Sequence, residues 1–172
     1  ASELNSMVIL GDTRGRYEVG VEKEIIEERA KEAFNIILKE AEKYKVNIVL
    51  EPQSRVGTDF LNPIPECIKW IKNFNHPNFK IMCDTFHMNI EDTSIAASLI
   101  KASPYLVHIH LSDNNRLAPG LGSLNFNEIL KVLDALNYKG SLSIEVFQKP
   151  NSEEVALHSF NYINNILKLV NG

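Results

Sequence analysis

The sequence predicts an α/β fold: a parallel sheet covered by helices. Two observations carry this. Five short apolar runs of β-rich composition are spaced along the whole chain, and the segments between them carry helical periodicity. No low-complexity tract and no Gly-, Pro- or Ser-rich linker interrupts the alternation. Strands that alternate with helices pair in parallel, because the crossover helix returns the chain to the same end of the sheet.

The strand candidates are SMVIL (6–10), VNIVL (46–50), FKIMC (79–83), YLVHIH (105–110) and SLSIEVF (141–147). A long helix is predicted over 22–44, with Ile25, Ile26, Ala30, Phe34, Ile37, Leu38 and Ala41 on one stripe. A shorter helix is expected over 64–74. The segment 93–102 follows with Thr93 as a cap, then 125–136 with Asn125 as a cap and Glu128 three residues on, and finally 152–170. Each has one apolar and one charged face, which places helices on the outside of the sheet.

At 172 residues, with 44% hydrophobic and 23% charged residues, a single domain spanning 1–172 with a sizeable core is expected. The formal net charge of -4 offers no general attraction to a phosphate backbone or an anionic lipid surface, so neither nucleic acid nor membrane is an expected partner. Cys67 and Cys83 form no CxxC pair or secretory framework. No apolar run approaches the roughly 18 residues that a membrane span requires. A reduced, cytoplasmic protein is the reading these features favour.

Four strand candidates end in, or beside, a side chain able to bind metal: Glu51, Asp84, His110 and Glu145, the last placed inside its strand. In a parallel α/β sheet the carboxyl ends of successive strands lie side by side, so the four are expected to converge. Three carboxylates with one imidazole suit a divalent cation of the Mn, Mg or Co type, and the lack of thiolates argues against a structural zinc site. A single acid at a strand end is ordinarily a helix cap or a loop residue; the joint pattern sets these apart. His108 shares a sheet face with His110 and reads as a layer residue beneath it. His76 and His158 read as surface or packing groups, and Cys83 as packing.

The segments CDTFHMNIEDTS, HIHLSDNNRLAPGLGSLNF and SIEVF resemble those of sugar isomerases and epimerases with a xylose isomerase-like (β/α)8 barrel, above all the D-tagatose and D-psicose 3-epimerase group. VLEPQSRVGTDFLN is similar to the segment that supplies the family's first glutamate. The resemblance implies a metal site of Glu51, Asp84, His110 and Glu145, with Mn²⁺ the expected ion and Mg²⁺, Co²⁺ or Zn²⁺ as alternatives. It further implies that Glu51 and Glu145 act as acid and base, and that His87 and Arg116 contact oxygens of a small sugar substrate. The implied reaction is epimerisation or isomerisation of a ketose or related keto sugar, by removal of a proton next to the carbonyl through an enediolate. Aldose–ketose or inosose isomerisation is the alternative, because the same chemistry serves both.

Two departures stand out. Where many relatives carry a second glutamate, six residues after the first, this chain has Gly57. The five strands also correspond to about strands four to eight of the barrel, so the chain reads as its carboxyl-terminal part. An open sheet leaves two unpaired edges, which predicts a homo-oligomer with weak or absent activity, and an inactive half-barrel remnant is the non-catalytic reading. Endonuclease IV-type DNA repair enzymes share the barrel but need further histidines after the strand-seven ligand; LSDNNRLAPGLGSLNFNE contains none.

Overall fold

All five apolar runs form strands. A computed structural model describes residues 1–170, and in it β1 (Val8–Leu10), β2 (Ile48–Leu50), β3 (Phe79–Asp84), β4 (Leu106–Leu111) and β5 (Ser141–Ile144) pair in that order in one parallel sheet. Positions 171 and 172 of the expected domain lie outside the described residues. With its covering helices the sheet makes half of a barrel. The β4–β5 pairing stops at Leu111 opposite Ile144, so Glu145 lies just past the strand, not inside it.

The helices are α1 (Lys23–Tyr44), α2 (Ile64–Phe74), α3 (Thr85–Glu91), α4 (Ile95–Ala102), α5 (Phe126–Ala135) and α6 (Ser152–Val170), with single 3-10 turns at Ser2–Leu4 and Asp12–Arg14. The expected stripe of α1 is corrected at one position, Ile25, which faces solvent while Ile26, Phe34, Leu38 and Ala41 are buried. The cap of α4 is Ser94, one residue later than expected: its side chain accepts from the Ala97 N–H. Asn125 caps α5 through the Glu128 N–H. Helix α3 was not foreseen. Its seven residues are too few to display a helical period, and it follows β3 with no turn residue between.

Alternation sorts each strand into two faces. Ile48, Leu50, Phe79, Ile81, Cys83, Ile109 and Leu111 point outward into the core, where Phe34, Leu38, Trp70 and Phe126 meet them from the helices. Phe34 anchors an aromatic cluster, with the rings of Phe79, Phe74 and Trp70 at 5.3, 5.8 and 6.1 Å. The inner face carries the side chains that matter for chemistry. A β-bulge sets it: Ile81 pairs with Leu106 but Met82 pairs with His108, leaving Val107 as the extra residue. Leu106 therefore faces the core while His108 and His110 face inward. Among the described residues, no helix is long and apolar enough to cross a membrane.

Candidate metal centre

Each strand end delivers one polar side chain to the same place. Glu51 follows β2, its N–H donating to the Leu10 carbonyl at 3.0 Å and extending the β1–β2 ladder by one step. Asp84 is the last residue of β3 and is fully buried; its Oδ1 accepts from the Phe86 N–H at 2.8 Å, which caps α3. His110 lies near the end of β4 opposite Asp84, and Glu145 follows β5 with its N–H directed at the Leu111 carbonyl. One donor atom from each of the four lies within 4.8 Å of the others.

The imidazole Nδ1 of His110 is the hub. Glu145 Oε2 lies 3.1 Å from it, Glu51 Oε1 3.3 Å and Asp84 Oδ2 3.8 Å, yet this buried nitrogen makes no properly oriented hydrogen bond. A buried polar atom without a bonded partner is costly. Three carboxylate oxygens and one such nitrogen are a donor set that fits a divalent ion of the Mn, Mg, Co or Zn type.

Electrostatics agree with that fit. Burial drives the Asp84 carboxyl upward against the pull of Arg116, while the facing His110 holds Glu145 well below the usual carboxylate range. Burial alone would depress His110, but the facing Glu145 and Glu51 carboxylates outweigh it and lift the imidazole to about 9. An imidazole raised by the carboxylates that face it marks a concentration of negative charge that favours a cation.

Arg116 donates to Asp84 Oδ2 at 2.5 Å and closely to Glu145, with its guanidinium 5.0 Å above the Phe86 ring. His87, on α3, lies outside the four-donor group. Its Nδ1 accepts from the Ser54 N–H at 3.1 Å, which leaves the ring proton on Nε2, and burial pushes its pKa down to about 4. His87 is thus a neutral N–H donor at pH 7. His108 lies beneath His110, ring centroids 5.1 Å apart, with its two nitrogens bonded to Ser141 and Ser143 of β5.

Some participants were not foreseen. Buried Arg14 donates to the Phe60 carbonyl, the Gly11 carbonyl and Gln53 Oε1, and Gln53 Nε2 points at Glu51 Oε2, 3.3 Å away. This relay fixes which oxygen of Glu51 turns toward His110. Gly11 leaves room for it: a Cβ there would lie 2.7 Å from Glu51 Oε2. GDTRGRYEVG alone does not signal the role, since two of the partners of Arg14, Gln53 and Phe60, lie 39 and 46 residues away. Gly57 is exposed, in a loop pinned to α3 by Glu91, which accepts from Arg55 N, Nε and Nη2.

Residues 3–166 match the xylose isomerase-like TIM barrel family. The chain belongs to that family. Among curated proteins it is 38% identical over 120 residues to the D-psicose 3-epimerase of Ruminiclostridium cellulolyticum, covering 70% of this chain and 41% of that protein. It is 39% identical over 122 residues to the D-psicose 3-epimerase of Enterocloster bolteae, covering 70% and 40%. A crystal structure of D-psicose 3-epimerase with D-tagatose from Clostridium cellulolyticum H10 superposes with a TM-score of 0.80 at 26% identity, covering 99% of this chain and 65% of that one. The aligned region thus takes in about two fifths of these curated relatives.

Proposed function

We propose that this chain is the carboxyl-terminal, metal-binding part of an epimerase acting on a ketose or related keto sugar, folded as one unit and located in the cytoplasm. The observation that carries the reading is the meeting of Glu51, Asp84, His110 and Glu145 within 4.8 Å at the strand ends. The names of the relatives, D-psicose 3-epimerases, support it, and the two buried free cysteines accord with a reducing compartment.

The four residues would hold a divalent ion, Mn²⁺ first among candidates. When bound, such an ion polarises a carbonyl and offsets the charge that develops on its oxygen. Glu51 and Glu145 come from β2 and β5, with β3 and β4 between them, so they approach the centre from opposite sides. One carboxylate takes the proton from the carbon beside the carbonyl, and the other returns a proton to the opposite face, which inverts that carbon. His87 donates its Nε2–H to a sugar oxygen, and Arg116 supplies fixed positive charge beside the oxygens as they become anionic.

The test is Mn²⁺-loaded protein with a ketose in D₂O. Slow incorporation of deuterium at the carbon next to the carbonyl, with a little of the epimer, is expected, because the aligned region takes in only about two fifths of the curated relatives. Full metal binding without exchange would overturn the catalytic reading in favour of an inactive half-barrel. An aldose as the exchanged product would favour the isomerase alternative.

We also propose that a second copy of the chain covers the open edges. Among the described residues β1 and β5 each lack a neighbour on one side, and an apolar groove of about 820 Å³ lies along β1, lined in part by Leu4, Val8, Ile36, Ile37 and Tyr44. Phe147, just past β5, and Leu157 and Phe160 on α6 are exposed. Unpaired edges and apolar patches of this kind favour association. Light scattering at micromolar concentration is expected to give a multiple of 19.5 kDa; a stable monomer would refute the association.

A further inference from the structure

Among the described residues, the loop after β4, residues 112–124, lies beyond the strand pairing, which ends at Leu111, so its backbone N–H groups are not satisfied by the sheet. One side chain, that of Asp113, takes four of them. Asp113 is fully buried; its Oδ1 accepts from the N–H groups of Asn114 (2.8 Å) and Leu124 (3.1 Å), and its Oδ2 from those of Gly120 and Gly122 (2.9 Å each). Hydrogen bonds to an ionised acceptor are the strong ones, and four on one carboxylate use its whole acceptor capacity.

The same residue closes the turn that carries Arg116. The Asp113 carbonyl accepts from the Arg116 N–H at 2.9 Å, and the Asp113 N–H donates to the Leu117 carbonyl at 3.0 Å. Between them Arg116 has φ 62, a left-handed conformation that a residue with a Cβ adopts only where its surroundings hold it. The Arg116 carbonyl in turn accepts from Phe147 N–H at 2.8 Å, two residues beyond Glu145. From this anchored backbone the guanidinium reaches Asp84 and Glu145.

We propose that the buried Asp113 carboxylate is the positioning residue for Arg116: by gathering four backbone N–H groups of the 114–124 loop, it holds the left-handed turn that aims the guanidinium at Asp84 and Glu145. Its catalytic consequence rests on the role given to Arg116 under the proposed function; the structural claim does not. Gly122 offers a second way to test it. A Cβ at that position would lie 2.2 Å from Asp113 Oδ1, so a side chain there must displace the carboxylate without changing its charge.

The experiment compares Asp113→Asn, Gly122→Ala and the double variant by amide hydrogen exchange and by the ¹⁵N resonance of the Arg116 side chain. Asn turns one acceptor oxygen into an NH₂ that confronts two N–H donors. Exchange at Gly120, Gly122 and Leu124 is expected to rise about tenfold or more in each variant, with the double variant no worse, while β3 and β4 amides stay protected. The Arg116 Nε–H signal should move toward that of a free arginine. In turnover, Asp113→Asn should cost about tenfold on its own and less than about twofold once Arg116 is already Ala. Protected loop amides would overturn the proposal. Loosened amides with an unmoved Arg116 signal would overturn it too, because they would make Asp113 a loop brace only. A protein without epimerase activity would sink the proposed function and leave the exchange and Arg116 readouts to decide this inference.

Discussion

Replacing Asp84 or His110 is expected to weaken Mn²⁺ binding by about a hundredfold or more. The reason is geometric. Both side chains are anchored within the sheet, Asp84 fully buried at the end of β3 and His110 opposite it on β4, so no neighbour can move in to replace the lost donor. Asp84→Asn is the informative substitution: the amide oxygen can still accept from the Phe86 N–H and cap α3, while the charge offered to a cation is gone. Loss of binding in a variant that keeps its fold therefore reports on the ligand and not on the helix. His110→Ala removes the nitrogen around which the carboxylates of Glu51, Asp84 and Glu145 gather, and leaves them repelling one another. Calorimetric affinities unchanged in both variants would remove Asp84 and His110 from the site.

Glu145→Gln is expected to lower exchange of the substrate carbon with solvent by about a hundredfold to ten-thousandfold, the range general-base removal gives, while costing metal affinity far less. Its facing His110 holds Glu145 ionised at neutral pH, the form from which a base must act. Gln keeps the size and an oxygen donor but cannot take the proton. The side chain is half exposed and β5 ends before it, so the sheet does not depend on it. Undiminished exchange in D₂O would show that Glu145 is neither acid nor base.

What could be read from the sequence was whatever depends on short-range pattern. Apolar β-rich runs alternating with helical patterns located five strands, and the rule that parallel strands share a carboxyl edge singled out Glu51, Asp84, His110 and Glu145, whose donor atoms stand within 4.8 Å. What escaped depends on distant partners. Arg14 is a buried residue only because Phe60 and Gln53 fold over it. Asp113 reads as an ordinary loop acid until residues up to Leu124 return their N–H groups to it. Helix α3 is too short to show a period, and the end of β5 is set by where β4 stops pairing. The bulge at Val107 turns Leu106 to the core and His110 to the site, and no residue in YLVHIH announces it.

The most direct measurement is a titration of isotope-labelled protein with Mn²⁺, following paramagnetic broadening residue by residue. One ion per chain is expected, with broadening centred on Glu51, Asp84, His110 and Glu145 and reaching Arg116 and His87 next. Broadening centred elsewhere, or no saturable binding, would contradict the claim that these strand ends form one cation site.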